Sequence, residues 1–289
     1  MRITRTAATA ALTGLLATAL AACGSSGSSG GSGTAAKPSG AGSPAAGAPA
    51  GALPGGGAKA ELLAAAAVMA KAGSAKITST GNGGGKPGTD AVGHYAWGGQ
   101  PKLDLRRQSN GTALAVRAVG GQVYLGTTAQ PSPLPGGKHW VELTGTESGT
   151  FQSMLVMLDP VAQLTAAAQS GKVTDAGTDA AVGGAHHYQG TVPADTLLAG
   201  LSNLTADQRS ALQAQLAGGS VKLDFWLNAK RELVQEHQSE LNSAGAPTGT
   251  GDVSTVYADL GSAVDVAAPA ASDLADQSAA LQLLGLAQG

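Results

Sequence analysis

Residues Ser220 to Asn228 alternate more cleanly than any other part of the chain, with Val221, Leu223, Phe225 and Leu227 on one side and Lys222, Asp224 and Trp226 on the other. Successive side chains of a strand point to opposite faces, so this segment reads as a strand buried on one face only. A strand of this kind cannot stand alone. Its apolar side demands a sheet of similar strands and a layer to cover them.

The same period recurs on both sides of that segment. Ala75, Ile77 and Ser79 oppose Lys76, Thr78 and Thr80, and the chain then passes through Gly83-Gly84-Gly85 toward Val92 to Trp97. Leu103 and Leu105 alternate with Asp104 and Arg106, and Ala113 to Val119 alternates similarly. Gly120-Gly121 before Gln122-Val123-Tyr124-Leu125 is a hairpin signal. Further strands are predicted at His139–Leu143, Lys172–Asp175, His186–Val192, Leu233–Leu241 and Asp252–Ala258. They follow one another as antiparallel strands and not as βαβ units.

Helical spacing interrupts the strands in two places and precedes them in a third. Ala58 to Lys71 is rich in strong helix formers, places Leu62, Leu63, Ala66 and Met69 near one face, and stops at Gly73. Phe151, Met154, Leu155 and Leu158 recur three and four apart; Asp159-Pro160 then restarts a helix through Leu164 to Ala168, with Asp159 as its N-cap. Pro193 opens a helix carrying Leu197, Leu198 and Leu201, and Thr205-Ala206-Asp207-Gln208 is a capping pattern before Leu212 and Leu216. The fold class expected is α+β. Aromatic residues are 3% of the chain, so its core must be aliphatic.

The folded part is flanked by segments of another kind. Residues 1–22 carry Arg2 and Arg5, an apolar run from Ala7 to Leu20 and then small residues, the three zones of a secretory leader. The run is too short for a comfortable membrane span. Leu20-Ala21-Ala22-Cys23 ends the leader on the chain's single cysteine, followed by Gly24. Residues 23–57 are Gly, Ser, Ala and Pro with almost no larger aliphatic side chain, too little to offset the entropy of ordering. A flexible tether of this length spans roughly 30 Å. Residues 58–269 form the folded domain, and 270–289 are a tail that either frays or makes a short helix capped at Ser272.

Signatures of catalysis and metal binding are missing from the sequence. Of the five histidines, His186 and His187 are adjacent in a strand and so face opposite ways. There is no zinc spacing, no G-x-S-x-G elbow and no phosphate-binding glycine loop. Asp104, Glu142, Asp224 and Glu236 read as single carboxylates on solvated strand faces. A net charge of −2 with 12% charged residues leaves no basic footprint for nucleic acid. These features argue against an enzyme and imply no cofactor and no metal.

Leu20 to Cys23 resembles the lipobox of bacterial lipoproteins, which implies a diacylglycerol thioether on Cys23 and cleavage before it. An ordinary leader with a chance cysteine is the alternative. Behind it, the order of elements resembles the LppX/LprG group of actinobacterial lipoproteins, whose domains are similar to the carriers LolA and LolB. The resemblance spans roughly Ala58 to Pro269. It rests on Ser74-Ala75-Lys76-Ile77, Gly121-Gln122-Val123-Tyr124-Leu125, Trp140, Asp159-Pro160 with Leu164, Val182-Gly183-Gly184 through Tyr188-Gln189-Gly190-Thr191-Val192, Asp224-Phe225-Trp226-Leu227, and Tyr257-Ala258-Asp259-Leu260-Gly261 with Val264.

What the resemblance implies is a strongly curved antiparallel half-barrel covered on its concave side by helices, with an apolar cavity for the acyl chains of lipids or lipoglycans. The candidate lining is Ile77, Leu105, Val116, Val123, Leu125, Leu155, Leu158, Leu197, Leu201, Phe225 and Leu227. The same residues would serve equally to pack a closed core. The expected setting is an exported monomer, lipid-anchored through Cys23 to the outer face of the cytoplasmic membrane. Its partners would be lipid acyl chains and an envelope transporter or other membrane protein. The competing reading is a sensor or interaction module of the same fold, docking without lipid transfer through an exposed apolar patch.

Overall fold

The computed structural model describes residues 57–283, apart from 82–90, 110–111, 146–147, 150, 153–154, 156–157, 171, 201–204, 217 and 249–251. Cys23, the tether and the Gly83 to Gly85 turn lie outside the described residues.

Among the described residues, twelve strands form one curved sheet that does not close. In chain order they are β1 (Ser74–Gly81), β2 (Ala91–Ala96), β3 (Lys102–Ser109), β4 (Thr112–Val119), β5 (Gln122–Thr127), β6 (Trp140–Leu143), β7 (Thr174–Asp179), β8 (Ala185–Pro193), β9 (Ser220–Leu227), β10 (Leu233–Leu241), β11 (Val253–Ala258) and β12 (Leu274–Ala275). Their spatial order is β12-β6-β5-β4-β3-β2-β1-β11-β10-β9-β8-β7. Two runs of neighbouring strands, β1–β6 and β7–β11, meet where β1 pairs with β11. All pairings are antiparallel except β12 with β6.

The helices are α1 (Ala58–Ala72), α2 (Pro160–Ser170), α3 (Ala194–Gly200) and α4 (Ala206–Leu216), and the described residues between 145 and 155 include further helical turns. Asp159 caps α2 as expected, its Oδ1 accepting from the backbone N–H groups of Val161 at 2.9 Å and Ala162 at 3.4 Å. Both glycines of the β4–β5 turn have positive φ, 61° and 78°, which the two-residue hairpin requires.

Helices α1 and α2 pack together and lie on one face of the sheet. The covered face and the helices share a contiguous core that runs from Leu62 and Met69 of α1, through Ile77, Leu105, Val116 and Val123, to Phe225, Leu227 and Leu164. Two polar contacts hold α1 in place: Trp97 Nε1 donates to the Met69 carbonyl at 2.9 Å, and Arg231 donates to Glu61 at 2.6 and 3.2 Å.

The described residues after Pro269 include short helical turns, Ala271–Asp273 and Gln277–Ala279, with an unforeseen strand, β12, between them. Residues after Pro269 run back along β6, with Leu274 and Ala275 in parallel register with Trp140 and Val141. His139 reaches the same segment, its backbone N–H and Nδ1 both 3.0 Å from Asp273 Oδ1. The segment covers what would otherwise be an open sheet edge, where unpaired backbone groups invite association.

Candidate functional site

The covered face is nearly all aliphatic, yet between β1, β2, β3 and β11 it holds a polar group of residues around a small cavity. This cavity, of about 10 Å³, is lined by Ile77, Ser79, Tyr95, Leu105, Leu158, Thr255 and Tyr257. It is large enough for roughly one water molecule.

Strand register explains its position. Ile77 of β1 and Leu105 of β3 both face residue 93 of β2, which is glycine. With no side chain at Gly93, the row between Ile77 and Leu105 has a gap, and Leu158 closes over it from the helical side. Glycine is required here by close approach of the backbone: a Cβ at position 93 would lie 1.8 Å from the Asp104 carbonyl oxygen. Such contacts mark sharp bends in sheets.

The polar residues reach this face in two ways. Ser79 and Thr255 are at inward positions of β1 and β11, directly opposite each other, with Oγ and Oγ1 3.3 Å apart. Tyr95 and Tyr257 flank Trp97, at ring separations of 5.8 and 6.3 Å. The Tyr95 hydroxyl donates to the Leu155 carbonyl at 2.9 Å, and that of Tyr257 donates to Glu236 Oε2 at 3.0 Å.

Glu236 corrects an expectation. Strict alternation along Leu233–Leu241 puts it opposite Leu233, on a solvated face. A β-bulge between Leu233 and Gln235 inserts one residue into β10, inverts the phase and turns Glu236 onto the covered face. Only 4% of it is exposed. Burial pushes its carboxyl up to about 7, against the opposing hydrogen bonds from Tyr257 and Gln163. Burial likewise raises Asp159, which lies near enough to act on Glu236 and Tyr95.

Asp224 corrects the same expectation on the other face, where it is buried beneath its neighbours. His187 Nε2 at 2.9 Å, Lys222 Nζ at 3.1 Å and His237 Nδ1 at 3.7 Å surround it. Burial by itself would raise this carboxyl, but the hydrogen bonds from His237, His187 and Lys222 hold it well below the usual carboxylate range. His186 does point the opposite way, to Asp175 at 2.8 Å. Among the described residues, no group of three or more His, Cys, Asp or Glu side chains is placed to hold a metal ion.

Of the sequence-predicted lining, Ile77, Leu105 and Leu158 border the cavity. Val116, Val123, Leu125, Leu155, Leu197, Phe225 and Leu227 are buried in the surrounding core. Leu201 lies outside the described residues. The predicted lining omits the hydroxyl residues Ser79, Tyr95, Thr255 and Tyr257, and Glu236 behind them was expected on a solvated face. The signal for Ser79 was available, because it alternates in phase with Ala75 and Ile77. Among the described residues, the exposed large apolar side chains are Leu63 of α1, Leu281 near the chain end, and Val92 and Val256 on the open face, on either side of Thr78. Among the described residues, no helix is long and apolar enough to cross a membrane.

No known family profile matches the chain. It is 32% identical over 167 residues to an uncharacterized 31.2 kDa protein of the rplA–rplJ intergenic region of Streptomyces griseus, covering 53% of each chain. The chain therefore spans about half the length of that curated relative. Similar solved structures include LprF from Mycobacterium bovis, at 14% identity and TM-score 0.43, covering 74% of this chain and 97% of that one. They also include the Mycobacterium tuberculosis lipoprotein LppX, at 12% identity and TM-score 0.43, covering 71% and 98%.

Proposed function

We propose that this chain is an exported envelope lipoprotein, anchored through Cys23, that takes acyl chains of lipids or lipoglycans between its helices and its sheet and carries or presents them without catalysing a reaction. The observation that carries this reading is the asymmetry of the sheet: one face is aliphatic across its width, and its cover includes alanine-rich stretches of α1 and α2 (Ala65, Ala66, Ala166, Ala167 and Ala168). Small side chains on the helices make a thin cover over a wide apolar surface. The small cavity lies beneath Leu158, at the boundary of the two layers.

At about 10 Å³ that space does not hold an acyl chain. Uptake requires Leu158 to swing away from the sheet, and a bound chain then replaces the apolar contacts that side chain gives up. Each methylene buried in exchange contributes about 0.8 kcal/mol. The lipobox reading adds the anchor, since two or more acyl chains on Cys23 give stable membrane attachment.

The test is native mass spectrometry of the full chain, expressed with its leader in an actinobacterial host and extracted in mild detergent. Co-purifying di- or triacyl species are expected, lost on Leu125→Trp or Leu227→Trp in a protein that still folds. Cys23→Ser is expected to move the chain from the membrane to the soluble fraction. A mass free of non-covalent lipid, with no uptake on titration, refutes the proposal.

A further inference from the structure

The surface of the cavity is mainly apolar, but hydroxyl-bearing residues stand among its lining. Four of its seven lining residues, Ser79, Tyr95, Thr255 and Tyr257, bear hydroxyls, within an otherwise aliphatic face. Two of these hydroxyls are committed elsewhere, Tyr95 to the Leu155 carbonyl and Tyr257 to Glu236. Ser79 and Thr255 have only each other, through one contact of 3.3 Å. One contact uses one hydrogen. Whichever hydroxyl donates in it, the other has a proton with no acceptor among the described residues.

Both side chains are more than nine-tenths buried, with 7% of Ser79 and 8% of Thr255 exposed. A buried hydroxyl hydrogen without an acceptor is costly, whereas one that finds an oxygen is not. The cavity accommodates one water, which would meet the need while the cover is closed. When a ligand displaces that water, the ligand must bring an oxygen of its own or leave the donor stranded. An all-methylene chain is therefore penalised at this point.

We infer that Ser79 and Thr255 form a subsite for a hydrogen-bond-accepting oxygen, a hydroxyl or carbonyl carried part-way along an otherwise apolar chain. The inference rests on the acyl-chain reading above and adds a chemical preference to it. Ile77, Leu105 and Leu158 contact the methylenes on either side, and the hydroxyl pair reads the oxygen. Tyr257, tied to Glu236, does not compete for it.

The experiment compares 12-hydroxyoctadecanoate with octadecanoate, by calorimetric titration into the full-length chain in mild detergent. The wild-type protein is expected to bind the hydroxylated chain about fivefold tighter, the value of one net hydrogen bond. Ser79→Ala combined with Thr255→Val, which keeps the side-chain shape, leaves no donor and should remove that preference without lowering octadecanoate affinity, whereas either substitution alone leaves one hydroxyl without an acceptor and should keep the preference. Circular dichroism checks that each variant folds. Equal affinity of the wild type for both chains, or a preference that survives in the double variant, overturns the subsite and leaves a structural water site only. Binding of neither chain by the wild type overturns the acyl-chain reading, and the subsite with it.

Discussion

Replacing Glu236 with glutamine should stabilise this protein above neutral pH and leave it little changed in acid. In the folded state the carboxyl is pushed up to about 7, mainly by burial, from an ordinary value of 4.5. The sign follows from linkage. A group whose folded pKa is raised contributes its full stability below the unfolded value and loses it as pH rises through the folded one. At about 1.4 kcal/mol per pH unit, the loss between pH 4.5 and 7 comes to about 3 kcal/mol. Glutamine keeps the shape and accepts from Tyr257 but does not ionise.

Urea unfolding of wild type and Glu236→Gln, followed by tryptophan fluorescence from pH 4.5 to 8.5, measures the difference. Taking that difference at each pH cancels groups common to both proteins. His237 is the most important of these: its hydrogen bond to the Asp224 carboxylate outweighs burial and raises it, so it titrates in the same direction over an overlapping window. The variant should be within about 1 kcal/mol of wild type at pH 4.5 and ahead by about 2–3 kcal/mol at pH 8.5. A difference that stays constant across the range refutes the assignment of a proton to buried Glu236.

Other substitutions test the frame around the cavity. Gly93→Ala places a methyl 1.8 Å from the Asp104 carbonyl and must force β2 and β3 apart; a loss of about 3 kcal/mol or more is expected in the same urea assay. Asp159→Ala removes the cap of α2 and should cost about 1 kcal/mol, with the cover over Leu158 exchanging its amide protons faster. Asp224, being depressed, contributes stability above its unfolded pKa that is lost as pH falls through the folded value. Asp224→Asn should therefore be less stable than wild type at pH 6, with the gap closing below about pH 4.

Local pattern made much of this fold readable. Alternation placed Val221, Leu223, Phe225 and Leu227 on one face, where the structure has them, because a period of two survives in any sheet with one side covered. The Asp159 cap and the Gly120-Gly121 hairpin are contacts between near neighbours in sequence, and short-range chemistry is written in short stretches. The lipobox-like and leader-like stretches are expectations of the same short-range kind and lie outside the described residues.

The site was decided elsewhere. The pairing of Ser79 with Thr255 joins residues 176 apart, and no local period records which two strands meet. The one-residue bulge in β10 inverts the alternation that was read as solvated and turns Glu236 inward. Gly93, which as sequence is one glycine among 44, becomes the gap under Leu158 only when β1 and β3 are placed on either side of it. Residues 274–275, read as part of a tail, become a strand because β6 presents an edge for them to cover. Sequence alone determined which residues are apolar and in what period they recur. Tertiary pairing decided which polar groups were carried inside with them, because a bulge or a distant strand partner changes the face of a side chain without changing the residue.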